Sequence, residues 1–261
     1  YGADGGLYGE LIKNRSFEYP QPLMGWNTIG DVVVKDDGPF NRCPHYVRLS
    51  YSGKRDMATG IENRGFLGMS LLGGEQYRFT VWARVPEDGE AQLNIGLRDL
   101  DSQEENFTSC ETDINVCGSE WSKYTVVLTT PYTIKKASLT VFLKGTVPVD
   151  VEHISLFPVN TWHGHENGLR KDLAQHLANL KPGVMRFPGG CIVEGATLDT
   201  RYNWKHSIGT VENRPLNETR WNYGKERTHF DYYQSYGLGF FEFFQFCEEI
   251  GAEPLPVISC G

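Results

Sequence analysis

The stretch "GVMRFPGGCIVEG", residues 183–195, gathers the groups of this chain whose types and spacing could do chemistry. An apolar run from Val184 to Phe187 is cut off by Pro188, two glycines, Cys191 and Glu194. A carboxylate at the C-terminal end of a strand can act as acid, base or nucleophile if a second titratable group faces it. Glu194 is such a carboxylate, with Asp199 a little further on, whereas the later strand ending at Ser259 supplies none. Glu194 is expected to anchor its loop by pairing with an arginine such as Arg186 or Arg201. Arg186, within a buried strand, needs a partner whatever the function. Cys191 has no base evidently tied to it, so it is not assigned as a nucleophile. Gly189-Gly190 lets backbone approach a ligand without side-chain obstruction, and a simple tight turn is compatible with that use. His163-Gly164-His165 has the outline of a metal pair, but no third ligand stands at a sensible spacing. Both read as surface histidines, and no metal or cofactor is assigned.

The elements that must position these groups change in texture along the chain. Residues 1–20 are glycine-rich and then briefly helical in pattern, with Leu7, Leu11 and Ile12 on one face. From about Pro22 to Pro158 the period is two. In "YRFTVWARV", Tyr77, Phe79, Val81, Ala83 and Val85 point one way and Arg78, Thr80, Trp82 and Arg84 the other. "ASLTVFLKG" repeats this with Ala137, Leu139, Val141 and Leu143, and similar runs occur at 31–35, 45–51, 92–97, 124–129 and 149–157. About seven or eight such strands with hardly any helix predict an antiparallel jelly-roll sandwich. After Pro158, Leu169, Leu173, Leu177 and Leu180 form a helical stripe with Asn167 as N-cap, and Val184–Phe187 follows as a strand. The same grammar returns as a helix from about Leu238 to Ile250, a stop at Gly251 and a strand at Leu255–Ser259. Helix, glycine, apolar strand, twice over, is the rhythm of a parallel α/β sheet. Between the repeats, residues 191–236 make a long loop rich in Trp and Tyr, expected to be an ordered lid or wall.

Two such units cannot close a barrel or cover a sheet on both faces. Either they form a small layer packed on the sandwich, or they are a piece of something larger. The bare strand edges of a piece would favour self-association.

Composition narrows the partners. The net charge of −8 gives nucleic acid and anionic membranes no electrostatic help. No apolar run approaches the ~20 residues of a membrane span. The 6 cysteines make neither a disulfide framework nor a zinc pattern; Cys110 and Cys117 are either a bridge in a polar loop or two free thiols. Sequons at Asn14, Asn106 and Asn217 carry little weight.

Four stretches, "ADGGLYGELIKNRSFEY" (3–19), "NGLRKDLAQHLANLKPGVMRFPGGCIVEG" (167–195), "RYNWKHSIG" (201–209) and "YYQSYGLGFFEFFQFCEEIGAEPLPV" (232–257), closely resemble α-L-arabinofuranosidases of glycoside hydrolase family 51. The sandwich resembles the carbohydrate-binding-module-like insert of many members. The resemblance implies a (β/α)8 barrel with the sandwich inserted after the first strand. Residues 1–21 would be the tail of the first barrel unit, 22–158 the sandwich and 159–261 part of the barrel. It implies retaining removal of terminal arabinofuranose from arabinan and arabinoxylan, and hence an arabinose-containing polysaccharide or oligosaccharide as partner. Retention needs two carboxyl groups about 5–5.5 Å apart. In the family these follow the fourth strand, in an Asn-Glu pair, and sit on the seventh, so both are expected beyond Gly261 and the chain alone is expected to be inactive. A sugar-binding glutamate is likewise expected ahead of Tyr1. The substrate-binding positions implied are Cys191, Glu194 and Trp204. Some relatives carry a sugar-binding Asn where Cys191 stands, and a thiol is a poor hydrogen-bonding substitute. Trp204 resembles the aromatic that walls the sugar subsite; plain loop packing is the alternative. Trp82 and Arg84 could meet a glycan on the outer face of the sandwich, though an insert that props the barrel is the simpler expectation. The expected setting is secreted or periplasmic, with the cytoplasm also open. Rival readings are a non-catalytic carbohydrate-binding protein using the sandwich, and a related clan glycosidase acting on glucan or xylan.

Overall fold

The computed structural model describes residues 4–53, 58–87, 89–104, 107–223 and 232–260. They form two compact units: residues 10–160, and residues 4–9 together with 161–260. Among the described residues no helix is long and apolar enough to cross a membrane.

The first unit is an antiparallel sandwich. Its strands are β1 (Trp26–Ile29), β2 (Asp31–Lys35), β3 (Tyr46–Ser50), β4 (Thr59–Asn63), β5 (Met69–Leu71) and β6 (Gln76–Arg84). They continue with β7 (Glu90–Asp99), β8 (Thr108–Cys117), β9 (Ser122–Thr129), β10 (Ile134–Lys144) and β11 (Val149–Pro158). One sheet runs β1-β4-β10-β7-β8 with β5 beside β10; the other runs β2-β3-β11-β6-β9. Alternation decides what is buried. Tyr77, Phe79, Val81, Ala83 and Val85 from one sheet meet Leu93, Ile95, Leu97, Leu139 and Val141 from the other in a single core.

Strands β1, β4, β5 and β8 go beyond those expected. In β4, "TGIEN" is buried along its whole length; Thr59 donates to Ser50 O, and Asn63 donates to Lys13 O and accepts from the main-chain amides of Lys13 and Gly65. Glu62 accepts hydrogen bonds from the Ser138 hydroxyl (2.7 Å), the Asn27 amide (3.0 Å) and Arg64 (3.1 Å). Burial pushes its pKa up, but these partners outweigh burial and hold it below 4.5. A folded-state pKa below the unfolded one gives stability that is present above pH ~4.5 and lost as pH falls through the folded value. Glu62→Gln is therefore expected to cost about 1–3 kcal/mol at neutral pH. Urea unfolding should show that difference shrinking as the pH drops below ~4.5.

Cys110 and Cys117 both lie on β8. At ~3.3 Å per residue along a strand they are far beyond the ~7 Å reach of a disulfide, and all six cysteines are free.

The brief helix expected near the N-terminus does not form. Residues 10–20 are a chain of turns in which Ile12 and Phe17 join the sandwich core. Buried Glu10 accepts from the backbone amides of Ile12 and Leu156 (both 3.0 Å) and pairs with Arg15 (3.2 Å). Asn14, with φ of 55°, donates its amide to Pro22 O and Met24 O. Side chains that bond to nearby backbone in this way compete with helix. The sequon asparagines Asn14 and Asn217 are both buried, and Asn106 lies outside the described residues.

In the second unit, α1 spans Lys171–Asn179 and β12 spans Val184–Phe187. A single turn, α2, spans Cys191–Glu194. Two short strands, β13 (Asn217–Glu218) and β14 (Tyr233–Gln234), pair antiparallel. The last elements are α3 (Phe240–Ile250) and β15 (Glu253–Pro256), and β12 and β15 pair in parallel. Arg170, not Asn167, stands at the N-cap of α1, and Asn167 takes φ of 52° in the preceding loop. Gly251 ends α3 in the left-handed conformation (φ 69°, ψ 31°), a backbone state open to glycine at little cost. The final strand begins two residues earlier than expected and stops at Pro256.

Candidate functional site at the end of the parallel pair

Phe187 closes β12 and sets the geometry of everything beyond it. Its ring is fully buried, stacked on Phe243 of α3 at 4.7 Å and 13°, and edge-on to Phe240 at 5.5 Å. Met185 and Phe187 thus face the helix, while Val184 and Arg186 point to the opposite, exposed face. Burial of Arg186 was expected from the apolar run; alternation puts it on the uncovered side instead. A Cβ on Gly190 would lie 3.0 Å from the Arg186 guanidinium, so this glycine gives the arginine its room.

Beyond the cis Phe187–Pro188 peptide, α2 carries the predicted residues. Cys191 is exposed at its start. Glu194, 67 % exposed at its end, pairs with Arg220 rather than with Arg186 or Arg201. The loop-anchoring role thus has an arginine partner, but one 26 residues away on the far side of the lid. Arg201 instead donates to the Leu198 carbonyl.

The described part of the 191–236 loop is held by an aromatic column and one buried arginine. Trp204 (39 % exposed) and Tyr202 (buried) both stack on Phe240, at 5.9 and 6.0 Å, and Tyr202 leans on Tyr236 at 4.7 Å. Burial drives both tyrosine pKa values up, that of Tyr236 to about 12, so these phenols are neutral packing groups near pH 7. The Tyr236 hydroxyl accepts from the Asn203 amide (3.1 Å). Arg214 donates to the carbonyls of Gly209 (2.9 Å), Tyr236 (2.8 Å) and Gly237 (3.3 Å), and forks onto Glu242 at 2.9 and 3.1 Å. Glu242 in turn accepts from the Gly239 amide (2.9 Å), closing the N-terminus of α3.

Two of the resembling stretches meet here. Asp4 accepts from the Ser235 amide (2.8 Å) and hydroxyl (3.1 Å). A Cβ on Gly237 would fall 2.2 Å from the Tyr8 ring, so only glycine fits. Sequence reasoning missed Arg214 and Arg220, whose carboxylate partners lie 28 and 26 residues away. Glu242 was not singled out either, although an acid three residues after Gly239 was the local signal for it.

On the sandwich, Arg84 is held by buried Asp150 (3.0 Å) and covers the Trp121 ring at 4.8 Å, and Trp82 meets Phe40 edge-on at 5.1 Å. Both side chains are engaged within the unit.

Trp204 leaves a partly exposed ring on Phe240 and Glu194 an exposed carboxylate on Arg220, groups of the kind that recognise a polyhydroxylated ligand rather than a small apolar one. A carbohydrate-active protein is the class to which the comparisons also point. Residues 9–149 match the family described as "Carbohydrate binding domain", and residues 176–261 match the "Alpha-L-arabinofuranosidase 1 domain". An extracellular exo-α-L-arabinofuranosidase of Streptomyces chartreusis is 36 % identical over 99 % of this chain and 32 % of its own length. Alpha-L-arabinofuranosidase 1 of Arabidopsis thaliana is 33 % identical over 98 % of this chain and 38 % of its own. The solved structure of an arabinose-bound α-L-arabinofuranosidase of glycoside hydrolase family 51 superposes with a TM-score of 0.81. It is 26 % identical, over 98 % of this chain and 42 % of that one. Over residues 9–149 the chain belongs to the carbohydrate-binding domain family, and along nearly its whole length it is similar to an N-terminal region of family 51 α-L-arabinofuranosidases. It spans about a third of the length of the curated relatives it matches.

Proposed function

We propose that this chain is the N-terminal portion of a retaining α-L-arabinofuranosidase that releases terminal, non-reducing α-L-arabinofuranose from arabinan or arabinoxylan outside the cell. The whole-chain likeness to the arabinose-bound relative is the observation that carries this reading. The parallel pair supports it physically. Only one face of the pair is covered by α3, while Val184 (56 % exposed) and Leu255 (51 %) are bare on the other. Parallel strands are stable when both faces are covered, so further barrel strands and their side chains would fill this face. In this reading the acid/base and nucleophilic carboxylates belong to those further strands. Glu194 and Arg220 fix the rim loop, and Trp204 offers a ring to the furanose. The sandwich serves chiefly as a scaffold, since the outward Trp82 and Arg84 are already engaged.

The test uses the protein extended by its own coding sequence on both sides of residues 1–261, with 4-nitrophenyl α-L-arabinofuranoside as substrate. Hydrolysis is expected, with NMR showing the α-anomer as first product. In that protein Trp204→Ala should raise KM about tenfold, the loss of a ring contact worth ~1–1.5 kcal/mol. Glu194→Gln should leave kcat within about tenfold, because its carboxylate anchors rather than reacts. Inversion, or loss of kcat by several orders of magnitude in Glu194→Gln, would contradict the assignment.

A further inference from the structure

Away from the rim, the turn before α1 and the last turn of α3 bring together three potential ligands. His163 Nδ1, His165 Nε2 and a Glu249 carboxylate oxygen all lie within 4.8 Å of one another. We propose that these three residues bind a divalent first-row transition metal ion of the zinc type. Two imidazoles and one carboxylate are the donors such ions prefer, and three protein ligands leave room for water in a tetrahedral shell. His163 Nδ1 stands 3.8 Å from Glu249 Oε1, close to the ~3.3–3.5 Å edge of a tetrahedron built on ~2.0–2.1 Å bonds. His165 Nε2 is hydrogen-bonded to the same oxygen. A metal ion takes the place of the hydrogen in that bond, and the imidazole then carries its proton on Nδ1.

The surroundings already orient the set. The buried Trp162 indole donates to Glu249 Oε2 at 2.7 Å, leaving Oε1 turned to both imidazoles. The same indole stacks on the His163 ring at 4.4 Å and 17°. The turn is fixed by Thr161, whose hydroxyl donates to His165 O (2.6 Å), and by Trp162 N to Leu169 O (2.9 Å). An outer-shell donor of this kind raises the affinity of the ligand it holds. With His163 half exposed, an ion can enter from solvent. Bound there, it would tie the turn to the end of α3, a stabilising role separate from sugar hydrolysis. The third ligand lies 84 residues from His165, so no local spacing could reveal it.

The experiment is calorimetric titration of ZnCl2 into tag-free, chelator-treated protein, with Co2+ absorption in the visible as a second readout. One equivalent is expected to bind, and its addition should raise the melting temperature. His163→Ala, an exposed-side-chain change compatible with folding, should weaken binding at least tenfold, as should His165→Ala and Glu249→Gln. Trp162→Phe, which keeps the ring but removes the indole N–H, should weaken it about tenfold. Circular dichroism checks that each variant is folded. Absence of stoichiometric binding by the unsubstituted protein, or binding that survives in folded His163→Ala and Glu249→Gln, would overturn the proposal.

Discussion

Replacing Arg214 with methionine should unhinge the lid and lower the stability of the α/β unit by about 3–5 kcal/mol. The guanidinium is almost fully buried and satisfies three main-chain carbonyls and the Glu242 carboxylate at once. Methionine fills much of the volume but leaves each of those acceptors without its donor. An orphaned buried acceptor costs ~1–3 kcal/mol, and an uncompensated carboxylate more. Some of that cost is relieved because Glu242 is partly exposed and keeps the Gly239 amide. Arg214→Lys should recover less than half of the loss, since an ammonium cannot reproduce the planar fork that reaches Gly209 and Glu242 together. Urea unfolding supplies the energies, and limited proteolysis within 196–223 reports lid release. A lysine variant as stable as the parent would show that charge alone, not the fork, holds the lid.

Phe187→Ala should cost a similar ~3–5 kcal/mol, the range for deleting a fully buried aromatic ring. The effect comes from position as well as size. Phe187 is the point where strand, helix and lid share one ring system, in contact with Phe240, Phe243 and Phe244. Its loss would leave Phe240 without support on one side, and through Phe240 the stacked Trp204 and Tyr202. Phe187→Leu keeps most of the volume and should cost about 1–2 kcal/mol. Denaturant unfolding, with tryptophan emission as a probe of Trp204, separates the two variants. Equal loss in both would mean that ring stacking, not filled volume, sets the energy.

How much of this could be read beforehand follows from the range of the forces involved. Alternation in β6 and β10 was legible because each side chain's fate is decided by its own strand: every residue from Tyr77 to Val85 expected inward is buried. The stop of α3 at Gly251 was legible for the same reason, being a local backbone requirement. Strand β8 was not, since "TSCETDINVC" turns many polar side chains outward and read as a loop with two neighbouring cysteines. Strand β4 was hidden by Glu62 and Asn63, which look like surface residues until their buried partners are known. At the candidate site, the placement of Cys191 and Glu194 just beyond the end of β12 followed from an abrupt strand end. The arginine that Glu194 meets did not, because Arg186 and Arg201 are nearer in sequence but are placed elsewhere by strand alternation and by the Leu198 carbonyl. Long-range ion pairs carry no local signature.

The most direct measurement is the rate at which this 261-residue chain, folded by circular dichroism, hydrolyses 4-nitrophenyl α-L-arabinofuranoside. No release above buffer is expected, while the extended protein turns the substrate over under the same conditions. Hydrolysis by the purified chain that disappears in Glu194→Gln would place a reacting carboxylate within it and contradict the assignment of both acids to further strands.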